Sequence, residues 1–187
     1  MKKWLIPVAI VVVLGFVMMS GYNSLVNLSE GVNGKWSQVN TQLQRRADLI
    51  PNLVETVKGY ASHEQEIFTQ VAEARAKLAG SATVGEAAQA DQAVTSALGR
   101  LLAISENYPQ LKADANFRAL QDELAGTENR VAVARKDYNE AVQSYNAKIR
   151  KIPTAFYAGI LGFQPREYFQ IAEEAKNVPQ VDFNTKP

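Results

Sequence analysis

Hydrophobic positions along this chain follow two regimes. From Trp4 to Ser29 no side chain is charged, and Trp4 to Met19 (WLIPVAIVVVLGFVMM) is apolar almost without interruption; beyond it, apolar residues return every three or four positions with charge between them. The first regime suits a segment surrounded by hydrocarbon, the second suits helices packed lengthwise on one face. The apolar run continues through small or weakly polar residues to Tyr22, and about 20 residues at ~1.5 Å rise cross a hydrocarbon layer of ~30 Å. A membrane anchor is therefore predicted, carried by Trp4, Leu5, Ile6, Val8, Ile10, Val11, Val12, Val13, Leu14, Phe16, Val17, Met18 and Met19.

Four apolar stripes follow. Leu25, Leu28, Val32, Trp36, Val39 and Leu43 make the first, which ends near Arg45, Arg46 and Asp48. Asp48 is suited to cap a new helix with Pro51 in its first turn, giving a helical hairpin; the alternative is one long helix kinked at Pro51. Ile50, Leu53, Val57, Tyr60, Glu64, Ile67, Val71, Ala74 and Leu78 make the second stripe. Gly80 is a helix stop, and Gly85 falls in the tip of a loop rich in Ala, Gly and Ser. Val94, Leu98, Leu101, Ser105 and Tyr108 form a shorter third stripe, ended by Asn107, Tyr108 and Pro109. The fourth runs from Phe117 through Leu124, Val131, Tyr138 and Tyr145 to Ile152.

The predicted fold class is all-α: a single N-terminal transmembrane helix followed by an antiparallel four-helix bundle with long helices. The expected organisation is an anchor and juxtamembrane segment over residues 1–29, the bundle over 30–151, and a C-terminal apolar segment, short helix and exposed tail over 152–187. That last part changes character, because Ile152 to Gln164 (IPTAFYAGILGFQ) has no charge, is too short to span a bilayer, and precedes a brief helix expected from Pro165 through Tyr168, Phe169 and Ile171.

Charge refines the picture of the anchor. A cleaved signal peptide also combines a basic start with an apolar run, but Val17 to Gly21 offers no convincing pair of small residues for cleavage and no cysteine for a lipid anchor; an uncleaved anchor is expected. Lys2 and Lys3 precede the span and only Lys35 follows within about 20 residues, so the body is expected outside the cytoplasm. Without those two lysines, 18 basic side chains face 19 acidic ones. No net field would draw the body to nucleic acid.

Catalytic chemistry has little to work with. The 187 residues contain no cysteine and one histidine, His63, which excludes disulfides, thiolate metal sites and thiol catalysis. A zincin helix needs a second histidine where Ile67 stands, and a di-iron bundle needs Glu-x-x-His where Tyr60 stands. No metal or other cofactor is expected. Glu64, in an apolar seam, is expected as a buried polar residue paired with Lys35 across the hairpin. Arg45 and Arg46 are read as caps of the first turn or, more sharply, as contacts for a partner at the membrane-distal tip. Lys148, Arg150 and Lys151 suit the negative end of a helix dipole. If the fourth helix returns to the bilayer, they and Phe156, Tyr157 and Phe163 would meet membrane interface or a partner.

Three blocks carry a family resemblance: TQLQRRADLIPNLVETVKGYASHE at Thr41 to Glu64, ENYPQLKADANFRALQDELAGTENRVAVARKDYN at Glu106 to Asn139, and YNAKIRKIPTAFYAGILGF at Tyr145 to Phe163. With YNSLV after the anchor, the chain resembles the LemA family of bacterial membrane-anchored helical proteins. The resemblance implies an N-terminal span and a mostly α-helical bundle, and no settled biochemical activity. The expected function is a non-enzymatic scaffold or adaptor at the cell membrane, self-associating as a homo-oligomer, in contact with the lipid bilayer and open to a membrane protein partner. Alternatives are an accessory subunit of a membrane-associated enzyme such as a peptidase, or a lipid-organising protein using its C-terminal apolar segment.

Overall fold

The computed structural model describes residues 5–170, so Trp4 and the expected tail lie outside the described residues. Among the described residues all regular structure is helical. Helix α1 spans Leu5–Lys58, α2 Gln65–Ala79, α3 Val84–Ser105, α4 Pro109–Ala113 and α5 Ala115–Arg150, and a 3-10 turn follows at Thr154–Phe156. The anchor and the first expected bundle helix are thus one element.

The hairpin expected near Asp48 does not form; the alternative of a single helix through Pro51 holds. Proline at 51 has no N–H to give the carbonyl of Ala47 four residues earlier. Arg75 of α2 supplies the missing donor, its Nε donating to the Ala47 carbonyl at 2.9 Å. An unsatisfied carbonyl is thereby answered from a neighbouring helix, and α1 continues to Lys58.

The second stripe does not stay helical throughout. It breaks between Gly59 and Glu64, where glycine's low helix propensity removes the support for another turn. α2 begins after Glu64 and ends on Gly80, as expected. Gly85 is not in a loop tip but in the first turn of α3, because Thr83 and Glu86 form a reciprocal capping box. Thr83 Oγ1 accepts from the Glu86 N–H at 3.2 Å, while Glu86 Oε2 accepts from the N–H groups of Thr83 and Ala82 at 3.1 and 2.8 Å. Those bonds hold the Glu86 carboxyl below its ordinary pKa. Pro109 opens α4 at a position where its missing N–H costs nothing. Asp114 then accepts from the Phe117 N–H at 2.9 Å at the start of α5.

The described residues divide into two compact units, 5–45 with 125–168 and 46–124 with 169–170. In the first, α1 buries Leu25, Val32, Val39 and Leu43, and α5 buries Thr127, Val131, Ala134, Tyr138, Val142 and Tyr145. In the second, Ile50, Leu53, Val57, Val71, Val94, Leu101, Leu111 and Phe117 are among the buried side chains, and α2 packs on α3. Each fully buried aliphatic or aromatic residue contributes ~1.5–3 kcal/mol. Two stripe members depart from this pattern: Tyr60 and Ile152 are exposed.

Residues 163–170 carry no regular structure, so the brief helix expected from Pro165 does not form over the described residues, and Ile171 lies outside them. Their backbone is engaged elsewhere. Asn146 takes both backbone groups of Arg166, donating from Nδ2 to its carbonyl at 2.9 Å and accepting its N–H at 2.8 Å. Tyr138 Oη donates to the Glu167 carbonyl at 2.8 Å.

Candidate membrane interface and polar pairs

The N-terminal part of α1 presents apolar side chains outward on all sides. Ile6, Val8, Ile10, Val11, Val12, Val13, Leu14, Phe16, Val17, Met18 and Met19 are each exposed by 44–68%. Among the described residues, α1 is the one helix long and apolar enough to cross a membrane. So much apolar surface on one helix is stable in hydrocarbon and not in water.

Just past that surface, two aromatic side chains from the C-terminal segment reach α1. A Cβ placed at Gly21 would lie 1.8 Å from Tyr157 Oη, so the tyrosine occupies the space that glycine leaves. Tyr22 meets Phe163 edge to face, ring centroids 5.7 Å apart. Tyr157 is buried, whereas Phe156 faces outward at 73% exposure. Lys148 is half-buried, and Arg150 and Lys151 are exposed. The six residues singled out at this end therefore divide between inward packing and outward exposure.

Further along the same unit, Lys35 Nζ donates to Asp137 Oδ2 at 2.8 Å. That hydrogen bond, then the charge of Lys35, holds the Asp137 carboxyl below its usual range. Trp36 packs on Tyr138 at 5.4 Å between centroids, and burial pushes the Tyr138 phenol up. Lys35 is accordingly not the partner of Glu64. Glu64 is half-buried and accepts from Tyr108 Oη at 3.3 Å; because the chain turns at Gly59–Glu64, it never joins a continuous seam.

Arg46 also departs from expectation. It is 4% exposed, and its Nη1 lies 2.5 Å from Oδ1 of the fully buried Asp91. Its Nη2 donates to Thr95 Oγ1 at 2.9 Å. A surface contact for a partner is thus excluded for Arg46, while Arg45 beside it is exposed. Asp91 and Arg166 are not among the residues expected as sites. For Asp91 a signal existed: it continues the core spacing of Ala87, Ala88, Val94 and Leu98, as Arg46 continues Val39, Leu43 and Ile50. Opposite charges at two core positions are a pair to be expected. His63 is exposed, and among the described residues no three His, Asp or Glu side chains converge as a metal would require.

A profile of the LemA family matches residues 35–183. The chain belongs to the LemA family. Relatives include magnetosome proteins MamQ 1 and MamQ 2 of Paramagnetospirillum magneticum, each 31% identical with 89% of this chain and 71% of the relative covered. Protein LemA of Metamycoplasma hominis is 23% identical, covering 91% of this chain and 76% of the relative. The family match takes in Lys35, Arg46, Asp91, Asp137, Asn146 and Arg166, and begins after the apolar run of α1.

Proposed function

We propose that this LemA-family chain is a non-enzymatic scaffold or adaptor held at a bacterial cell membrane by α1, with its body an antiparallel four-helix bundle on the extracytoplasmic side and copies associating with one another. One observation carries the reading: the exposed apolar run and the buried stripe at Leu25, Val32, Val39 and Leu43 belong to one uninterrupted helix. The buried stripe of residues 25–43 is therefore borne on the same helix as the exposed apolar run, which suits a protein that holds partners at a membrane.

The bundle is supported by the buried stripes of α1, α2, α3 and α5, and by the four-residue connection, residues 80–83, between the packed helices α2 and α3, which favours antiparallel neighbours. The relatives' name, magnetosome protein, suggests for this chain a role in a cell-associated assembly, without implying the magnetosome itself. Cross-linking in native membranes followed by identification of the captured proteins tests the reading. Self-adducts and non-catalytic membrane proteins are the expected products; a reproducible adduct with one enzyme would replace the scaffold by an accessory subunit.

A further inference from the structure

The turn between α5 and residue 163 has two faces, and they point to different surroundings. Thr154, Tyr157 and Ala158 are buried, while Ile152, Phe156 and Ile160 are 77, 73 and 86% exposed and Leu161 is 46% exposed. Backbone bonds make this a fixed shape: the Ala158 N–H donates to the Thr154 carbonyl at 2.9 Å, and the Phe163 N–H to the Ala158 carbonyl at 3.0 Å. Gly162, at φ +83°, supplies the left-handed residue that closes it. A short ordered turn thus displays four large apolar side chains outward, of which Ile152, Phe156 and Ile160 are the most exposed.

Its height against α1 is also fixed. Tyr157 fills the space over Gly21, and Phe163 packs on Tyr22. Those two α1 residues stand where the apolar run ends. Register agrees, because as many residues separate Asp137 from Arg150 as separate Tyr22 from Lys35, about 20 Å of helix in each case. No acidic residue occurs between Glu140 and Glu167, whereas Lys148, Arg150 and Lys151 immediately precede the turn. Aromatic and aliphatic side chains with adjacent cations are the composition of a segment lying in the headgroup region.

We infer that the turn Ile152–Phe163 is a second membrane contact, inserting Ile152, Phe156 and Ile160 into the headgroup–acyl boundary of the leaflet from which α1 emerges. The inference rests on the reading of α1 as the anchor. A helix crossing alone leaves the body free to rotate about its axis, and the turn removes that freedom by committing one side of α5 to the lipid surface.

The chain has no cysteine of its own, so single cysteines at Val12, Val133 and Ile160 of the full-length protein accept a nitroxide. In phosphatidylcholine–phosphatidylglycerol vesicles, electron paramagnetic resonance then compares collision with oxygen against collision with a water-soluble nickel chelate. Val133, 61% exposed on α5, is the water reference. The expected oxygen-to-nickel ratio at position 160 lies well above that at 133 and below that at the mid-span position 12, as placement at the headgroup–acyl boundary requires. A ratio at 160 equal to that at 133, with 12 in lipid, overturns the inference and leaves the anchor standing. Low collision with both reagents at 160 also overturns it, in favour of burial against a second copy. A label at 12 that reads as water overturns the anchor and the inference together.

Discussion

A glycine and a buried ion pair show what their surroundings demand of single residues. Gly21 exists to admit Tyr157, whose buried hydroxyl has no hydrogen-bond partner among the described residues. Gly21→Ala should therefore destabilise by about 1–3 kcal/mol through overpacking, measured by denaturation of the purified full-length chain. Adding Tyr157→Phe removes the oxygen nearest the new methyl group and should recover most of the loss; additive effects in the double-mutant cycle would sink this account. Arg46 and Asp91 pose a different problem, since each is charged and buried. Asp91→Leu strips the guanidinium of its carboxylate and should cost about 3–5 kcal/mol, while the joint Arg46→Leu, Asp91→Leu change should cost much less. If the double variant were as unstable as the single, the pair would be a source of net stability and not a matched burial.

At the scale of elements, Pro51 and Arg75 explain why α1 is one helix. Arg75→Met leaves the Ala47 carbonyl without its side-chain donor and should cost about 1–3 kcal/mol. In a Pro51→Ala background the helix's own N–H serves that carbonyl, so the same change should cost markedly less by chemical denaturation. An undiminished cost would assign Arg75 to packing alone. The apolar stripes were legible in the sequence because spacing alone reports which side of a helix is buried, and Leu25 through Leu43, Ile67 through Leu78 and Phe117 through Tyr145 follow it. Helix ends were less legible. Whether Pro51 breaks a helix depends on a guanidinium 24 positions later in the chain, and no local pattern contains that information. The segment after Pro165 misled for a similar reason, since Asn146 and Tyr138 claim backbone groups that a helix would need. The capping box at Thr83 and Glu86, by contrast, is a local signal in the sequence.

Across the whole molecule, depressed carboxyl groups set the response to acid. Asp137 is held down by the hydrogen bond from Lys35, Asp114 by the Phe117 N–H and then the Tyr60 hydroxyl, and Glu86 by the N–H groups of Ala82 and Thr83. A carboxyl whose folded pKa lies below its unfolded value binds its proton more readily in the unfolded chain. Its stabilising contribution is complete above the unfolded value of about 4 and is lost as pH falls through the lower folded value. Stability should therefore be level near neutrality and decline below about pH 4, with Asp137→Asn flattening part of that decline; a denaturation midpoint insensitive to acid would contradict it. Charge also bears on which side of the membrane the body occupies. Lys2 and Lys3 precede the apolar run, Lys35 is the nearest basic residue after it, and acidic residues count little in orienting a span. Ala82 is exposed between α2 and α3, so Ala82→Cys gives the naturally cysteine-free chain one thiol far along the sequence from the anchor. With the body outside the cytoplasm, that thiol should react with a membrane-impermeant maleimide in intact cells whose outer membrane, where present, has been permeabilised. Labelling that appears only after the inner membrane is broken would place the body in the cytoplasm, and the scaffold would then serve cytoplasmic partners.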